Sequence, residues 1–246
     1  LTLSLPVHVG GDPALDASSS LHLSRLLLTS KTCESLEALL IRDQLSRGCL
    51  QALGAYLSSG RAAGLRRLHC MCSDKPVPGS HTTIASALGT GQLPLLEHLE
   101  LAGRSSREDS EHLVQWAASP SAARLVTLSL SRLHGIDLSA MLRAAIDSHG
   151  LPRVRTLTLD GRGDDDATVV ALVDGMESNE ALPCLECLEL RGTGDEEVRR
   201  LAAFLAQGKG CSRTLRRLDL GDSTATDEAG AQLGRAIQAG GLTALE

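Results

Sequence analysis

Aliphatic residues recur along the chain in a Leu-x-x-Leu-x-Leu spacing, seven times in full and an eighth time as the chain ends. The copies are Leu36/Leu39/Ile41, Leu65/Leu68/Cys70, Leu96/Leu99/Leu101, Leu125/Leu128/Leu130, Val154/Leu157/Leu159, Leu185/Leu188/Leu190 and Leu215/Leu218/Leu220, followed by Leu242/Leu245. Their starts lie 29, 31, 29, 29, 31, 30 and 27 residues apart. A fixed period of this size is the signature of a stacked repeat, in which each unit buries its apolar face only against a neighbour. The last positions of each copy alternate apolar and polar, as a short half-buried strand does. A polar loop rich in Gly, Ser or Asp follows, and then a run of helical periodicity.

The clearest helical run is Asp195 to Gln207, where Val198, Leu201 and Leu205 share one face, acids open the first turn and Gly208 to Gly210 close it. Similar runs are Ser46 to Leu57, Glu108 to Ala117, Ile136 to Ile146, Asp166 to Met176 and Asp227 to Ile237. Each repeat therefore reads as strand, loop, helix. Parallel strands joined by right-handed crossovers then stack into a curved solenoid, with the sheet inside and helices outside. Ahead of Leu36 the pattern is less regular. Leu3 and Leu5 align with Leu128 and Leu130, which predicts an earlier strand at the start and a helix near Ala17 to Leu28. A rival frame that makes Leu23/Leu26/Leu28 a copy leaves too few residues before Leu36 for a full unit.

Two stretches carry a family resemblance: LECLELRGTGDEEVRRLAAFL from Leu185, and LRRLDLGDSTATDEAGAQLGRAIQAGGLTALE from Leu215. With the Thr-Asp-Glu-Ala-Gly step into its helix, the chain resembles a leucine-rich repeat protein of the ribonuclease-inhibitor-like class. The resemblance runs from about Leu36 to the end and implies a horseshoe with a concave parallel sheet and convex helices. One departure stands out. The family places an Asn or Cys three positions past the last leucine of the copy, with two residues between, where it bonds along the stack. Here those positions hold Gln44, Ser73, Arg104, Leu133, Arg162, Thr193 and Ser223. Ser, Thr and Gln can make part of such a ladder, whereas Leu133 cannot, and an unpaired buried backbone group there would cost about 1–3 kcal/mol. Water, shifted loops or looser stacking are expected from Arg104 to Arg162.

Residues 1–246 read as one domain of eight to nine repeats, with 1–35 a less regular N-terminal unit. The chain opens at Leu1 rather than Met and stops inside a hook at Leu245 and Glu246, which reads as a fragment of a longer chain. More repeats, another domain or a partner should cover the last apolar layer. The formal net charge is −6 and basic residues are interspersed with acids, so no electrostatic footprint for nucleic acid is present. One Trp, one Tyr and one Phe leave the interior to Leu, Ala, Val and Ile and supply no stacking platform. No apolar run is long enough to span a bilayer. Seven cysteines in unpaired spacing, and a single Asn179 outside any glycosylation acceptor, fit a reducing compartment and a cytosolic or nuclear address, of which the cytoplasm is the expectation.

Side chains between the hook leucines project from the concave face and form a mixed polar surface. It has an acidic streak through Glu100, Asp160, Glu189 and Asp219, flanked by Arg42, Arg67, Arg191 and Arg217. With His69 and His98, close neighbours on adjacent strands, these residues are the candidate partner-binding set. The competing reading is a solvated face needed only for solubility. Cys184/Cys187 and Cys70/Cys72 lie four repeats apart, about 20 Å at sheet spacing, so they cannot share one zinc ion. Asp164, Asp165 and Asp166 sit where a helix should begin, which suits an interaction with the helix N-terminus better than calcium. The Arg162-Gly163-Asp164 tripeptide within that stretch is too short to specify adhesion. No nucleophile with base and orienting group, no phosphate-binding loop and no nucleophile elbow is present.

The expectation is a non-enzymatic protein–protein interaction scaffold, without cofactor or metal, serving as a subunit of a larger assembly. Two alternatives follow from the resemblance: a ligand-sensing or autoinhibitory arm of a larger regulatory protein of the innate-immune type, and a GTPase-activating protein. An inhibitor of ribonucleases fits less well, because such contact surfaces are strongly acidic and aromatic-rich.

Overall fold

The computed structural model describes residues 2–5, 31–41, 47–71, 82–103, 107–133, 136–149, 151–160, 167–177, 181–240, 242 and 244–245. Eight strands form one sheet in sequential order: β1 Thr2–Leu5, β2 Ala38–Ile41, β3 Arg67–Met71, β4 His98–Ala102, β5 Thr127–Ser131, β6 Thr156–Asp160, β7 Cys187–Arg191 and β8 Arg217–Asp219. Every pairing is parallel. Among the described residues seven helices alternate with the strands: α1 Arg47–Ser58, α2 Thr82–Gly89, α3 Arg107–Ala117, α4 Leu138–His149, α5 Ala167–Glu177, α6 Asp195–Ala206 and α7 Asp227–Gln238. Each helix packs on the next. The chain is thus a repeated βα array, a solenoid-like α/β fold, built by contacts between units about thirty residues apart.

Register follows the leucine interval. Leu3, Leu39, Leu68, Leu99, Leu128, Leu157, Leu188 and Leu218 are successive Cα partners across all eight strands. A one-residue slip anywhere would turn a whole row of leucines to the opposite face, which is why the pairing is unambiguous. These rows meet the helices in a single core, with Leu53 and Tyr56 from α1, Trp116 from α3, Leu142 from α4, Leu172 from α5 and Phe204 from α6. Cys70 occupies its hook position as a small buried hydrophobe. Tyr56 is fully enclosed, and its hydroxyl donates to the Cys33 carbonyl at 2.8 Å, which removes the cost of burying it.

Helix α2 was not visible in the hydrophobic pattern. It is short and small-residued, with Ile84, Ala87 and Leu88 as its buried stripe and neither acids at its start nor bases at its end. Only the repeat period could have located it. A second unpredicted feature is an apolar or small residue three or four places before each hook. Leu93, Ala122, Leu151 and Leu182 are buried there, and their carbonyls accept the N–H of Leu96, Leu125, Val154 and Leu185 at 3.1–3.3 Å. This turn aims each strand.

Strand exits use a common left-handed residue: Gly103 (φ 128°), Arg132 (φ 56°), Gly192 (φ 73°) and Asp222 (φ 54°). The next position divides the array. Beyond β7 and β8 a polar ladder does form: Thr193 Oγ1 lies 3.3 Å from Ser223 Oγ, which donates to the Thr193 carbonyl at 2.9 Å. Beyond β5, Leu133 is buried with Ile136 and Leu138, and its carbonyl accepts the Ile136 N–H at 3.3 Å. A local turn and an apolar plug thereby replace the ladder. The expected loosening does not reach the sheet, since β4, β5 and β6 remain paired. Gln44, Ser73, Arg104 and Arg162 lie outside the described residues. So do the expected helix near Ala17 to Leu28, the acids Asp164 to Asp166 and the Arg162-Gly163-Asp164 tripeptide.

Helix starts link neighbouring repeats. Asp137 precedes α4 and accepts from the Ala140 N–H at 2.8 Å and the Ser139 hydroxyl at 2.7 Å, while its own N–H donates to Ser110 on α3 at 3.0 Å. The Ala140 N–H and the Ser139 hydroxyl hold its carboxyl below the usual carboxylate range. Asp195, at the start of α6, takes both the N–H and the hydroxyl of Thr226, which precedes α7.

Candidate functional site

The face of the sheet opposite the leucines is formed by three rows of aligned side chains. The first runs Ala38, Arg67, His98, Thr127, Thr156, Cys187, Arg217, and the second Leu40, His69, Glu100, Ser129, Thr158, Glu189, Asp219. The third holds Met71, Ala102, Ser131, Asp160 and Arg191. Nine of the ten expected binding residues thus lie on one surface. Arg42 lies outside the described residues.

The register changes some expected neighbours. His69 stands opposite Glu100, and His98 opposite Arg67, so the two histidines are diagonal rather than facing. His69 Nδ1 meets Glu100 Oε2 at 2.5 Å, and His98 Nδ1 meets Thr127 Oγ1 at 3.0 Å. Burial, reinforced by the Arg67 guanidinium, lowers the His98 pKa and favours its neutral ring. At the other end, Arg217 reaches Glu189 Oε1 at 3.4 Å and Asp219 Oδ2 at 3.2 Å, and Thr158 donates to Glu189 at 3.3 Å. The acidic streak is therefore largely engaged in bonds within the face. Asp160 also departs from expectation: it is only 7% exposed, a buried carboxylate rather than a solvated one.

Between these two bonded clusters lies a hollow of about 400 Å³. Its lining includes the small residues Ala102, Ser129 and Ser131, with His69, Met71 and Glu100 to one side and Arg132, Asp160 and Arg191 to the other. Such a depression is made by side-chain length: short residues on β4 and β5 flanked by long ones on β3 and β7. Ser129 and Ser131 were expected on this face but not among its binding residues, and Arg132 was passed over. The signal available was the local run of small side chains in the second and third rows.

Cys187 is half-buried on the same face, and burial together with Glu189 pushes its thiol pKa up, away from the reactive thiolate. Among the described residues no group of three or more His, Cys, Asp or Glu could hold a metal ion, and no helix is long and apolar enough to cross a membrane. A further charged row was not foreseen. At the entry edge of the strands, Glu37, Arg66, Glu97, Val126, Arg155 and Glu186 succeed one another, and their carbonyls each accept two N–H groups from the next repeat. Arg66–Glu97 at 2.7 Å and Arg155–Glu186 at 3.0 Å are ion pairs across repeats. Exposed pairs of this kind contribute about 0–1 kcal/mol each, so this row works chiefly to align units.

No protein-family profile matches the chain, and no curated protein matches it in sequence.

Proposed function

We propose that the chain is a non-enzymatic protein-binding scaffold of the leucine-rich repeat, ribonuclease-inhibitor-like type, which recognises a polypeptide partner with the open face of its sheet as part of a larger assembly in the cytoplasm. The observation that carries this reading is the open face itself: a continuous strip of seven described strands whose polar rows are held in place by cross-strand bonds and interrupted by a hollow of side-chain size. Such a surface is preorganised, so docking a partner loses little side-chain entropy there. Arg67 and Arg191 are exposed on it, and arginine is among the residue types that dominate binding hot spots. The bonds of Arg217 to Glu189 and Asp219 limit what that end adds to affinity and suit it to orienting the partner.

The test is site-specific photo-crosslinking in extract, with the reactive group placed at Thr127 on the open face or at Gln115 on α3. Partner adducts are expected from position 127 and not from 115. The combined substitution of Arg67, Glu100, Glu189 and Arg217 by alanine should reduce the adduct at least about tenfold, the loss that about 1.4 kcal/mol of binding energy produces. Adducts of equal yield from both sites, or an adduct indifferent to the four substitutions, would remove the reading.

A further inference from the structure

The entry edge of the strands divides into two halves of different charge. In the first half the charges cancel: Arg61 is held by Glu34 at 3.2 Å and Arg66 by Glu97 at 2.7 Å. In the second half they do not. The turns 121–126, 151–155, 181–186 and 207–216 hold Arg124, Arg153, Arg155, Lys209, Arg213 and Arg216 against a single acid, Glu186, which Arg155 takes at 3.0 Å. Arg124, Arg153 and Lys209 are exposed and form no hydrogen bond or ion pair among the described residues. Arg213 is exposed as well, and its Nε donates to the Gly208 carbonyl at 3.0 Å, which anchors the guanidinium without neutralising it. Arg216 is engaged with a further group. The acids in the helix ends behind these turns, Asp147 on α4 and Glu177 on α5, form no ion pair with them among the described residues. Compensation of helix dipoles does not account for the bases either, because α3, α5 and α6 carry none in their last turns. A chain of net charge −6 thus presents a basic strip along one half of one edge.

Independently of the open face, we propose that this strip docks an acidic segment of a polypeptide, laid across the turns that lead into β5, β6, β7 and β8. Three strand spacings separate Arg124 from Arg213, about 14 Å, and an extended chain rising about 3.3 Å per residue crosses that distance in four to five residues. A run of about five Asp or Glu residues therefore meets Arg124, Arg153, Lys209 and Arg213 in one pass. Cys184, exposed in the repeat between Arg153 and Arg213, has too short a side chain to obstruct it. Nucleic acid fits the strip less well, since Tyr56, Trp116 and Phe204 are all buried and no base can stack on them. A long polyanion or an anionic membrane would also meet the net negative charge of the whole chain. A short acidic segment lies within a Debye length, about 8 Å at physiological salt, of the bases and senses chiefly their local charge.

The experiment is a set of amide-resolved NMR titrations of the whole chain with capped peptides whose central residues are a run of Glu, of Gln or of Lys, and with a short oligothymidylate and phosphatidylserine vesicles as rival polyanions. At about 0.05 M salt the Glu peptide should shift the Arg124, Arg153, Cys184 and Arg213 amides saturably and leave Ser129 and Thr158 on the open face in place. The Gln peptide should bind at least about fivefold more weakly, and the difference should fade at about 0.5 M salt, as screening of exposed charges requires. Arg124→Gln, Arg153→Gln and Lys209→Gln together should weaken the Glu peptide at least about threefold. These three side chains are exposed and unbonded, so the triple variant should melt with the parent. Arg143→Gln with Arg235→Gln, exposed bases on α4 and α7, should leave Glu-peptide binding unchanged. Equal binding of the Glu and Gln peptides, preference for Lys, shifts confined to the open face, indifference to the triple substitution, or tighter binding of the oligothymidylate or the vesicles than of the Glu peptide would overturn the assignment. Photo-crosslinking at Thr127 and Gln115 tests the open face separately, so either result stands or falls without the other.

Discussion

Leu157 and Thr158 are neighbours on β6, yet they belong to different kinds of surface. Leu157 is sealed between Leu128 and Leu188 in the core row. Thr158 spends its hydroxyl on Glu189 of the next strand. On the leucine face every strand carries the same chemistry, so each contact repeats the one before. On the open face each strand differs from its neighbour, so pairs such as His69–Glu100 and Arg217–Glu189 form locally and leave a gap between them. Uniformity on one side holds the array together, and variation on the other breaks the surface into bonded clusters with a hollow between them.

The largest expected effect comes from puncturing the uniform face. Leu157→Ala should cost about 2–5 kcal/mol in urea unfolding, because the cavity opens between two packed rows and cannot collapse. Because stability in a repeat array passes through nearest-neighbour interfaces, the loss should appear as earlier melting of the middle units. A cost below 1 kcal/mol would mean that the leucine rows are not the main support. Next comes helix packing. A Cβ at Gly175 would stand 2.3 Å from Ile146 Cδ1 and 3.0 Å from Cγ1, so Gly175→Ala should destabilise by about 1–3 kcal/mol despite alanine's better helix propensity. Adding Ile146→Ala should recover much of that loss, and a double-mutant cycle without coupling would refute the contact.

Smaller changes test the links between repeats. Asp137→Ala should cost about 1 kcal/mol through loss of the α4 cap. The folded-state pKa of Asp137 is depressed, so its contribution is present above the unfolded value near 4 and is lost as pH falls through the folded value. The difference between parent and Asp137→Ala should therefore shrink on acidification. Asn caps without titrating, so Asp137→Asn should keep its stability in the same range. Ser223→Ala should lose about 0.5–1.5 kcal/mol, since it removes the ladder bond to Thr193. Smallest of all, Arg217→Ala should leave the unfolding midpoint where the parent has it, because its ion pairs are exposed. A large loss there would show that the open face helps hold the fold.

Legibility in the sequence divided along the same line as the two faces. Strand positions, their parallel neighbours and six of the seven described helices could be read from spacing, because a buried leucine has few acceptable neighbours and the period supplies them. Helix α2 escaped because its alanines and short length weaken the amphipathic signal. The polar turn at Thr193/Ser223 was anticipated from residue type, whereas the plug at Leu133 was not, since its carbonyl is satisfied by Ile136 three residues on rather than by the stack. Nine of the ten expected binding residues fall on the open face, but their division into engaged and free groups depends on side-chain reach across strands.

The amino-acid sequence alone determined the array: a leucine interval of about thirty residues imposes one register, since any other would expose an entire apolar row to water. Only the tertiary structure decided which polar groups on the opposite side are already bonded and where the hollow opens. That outcome depends on residues about thirty positions apart being brought to one strand spacing, where a histidine finds a glutamate and an aspartate becomes buried.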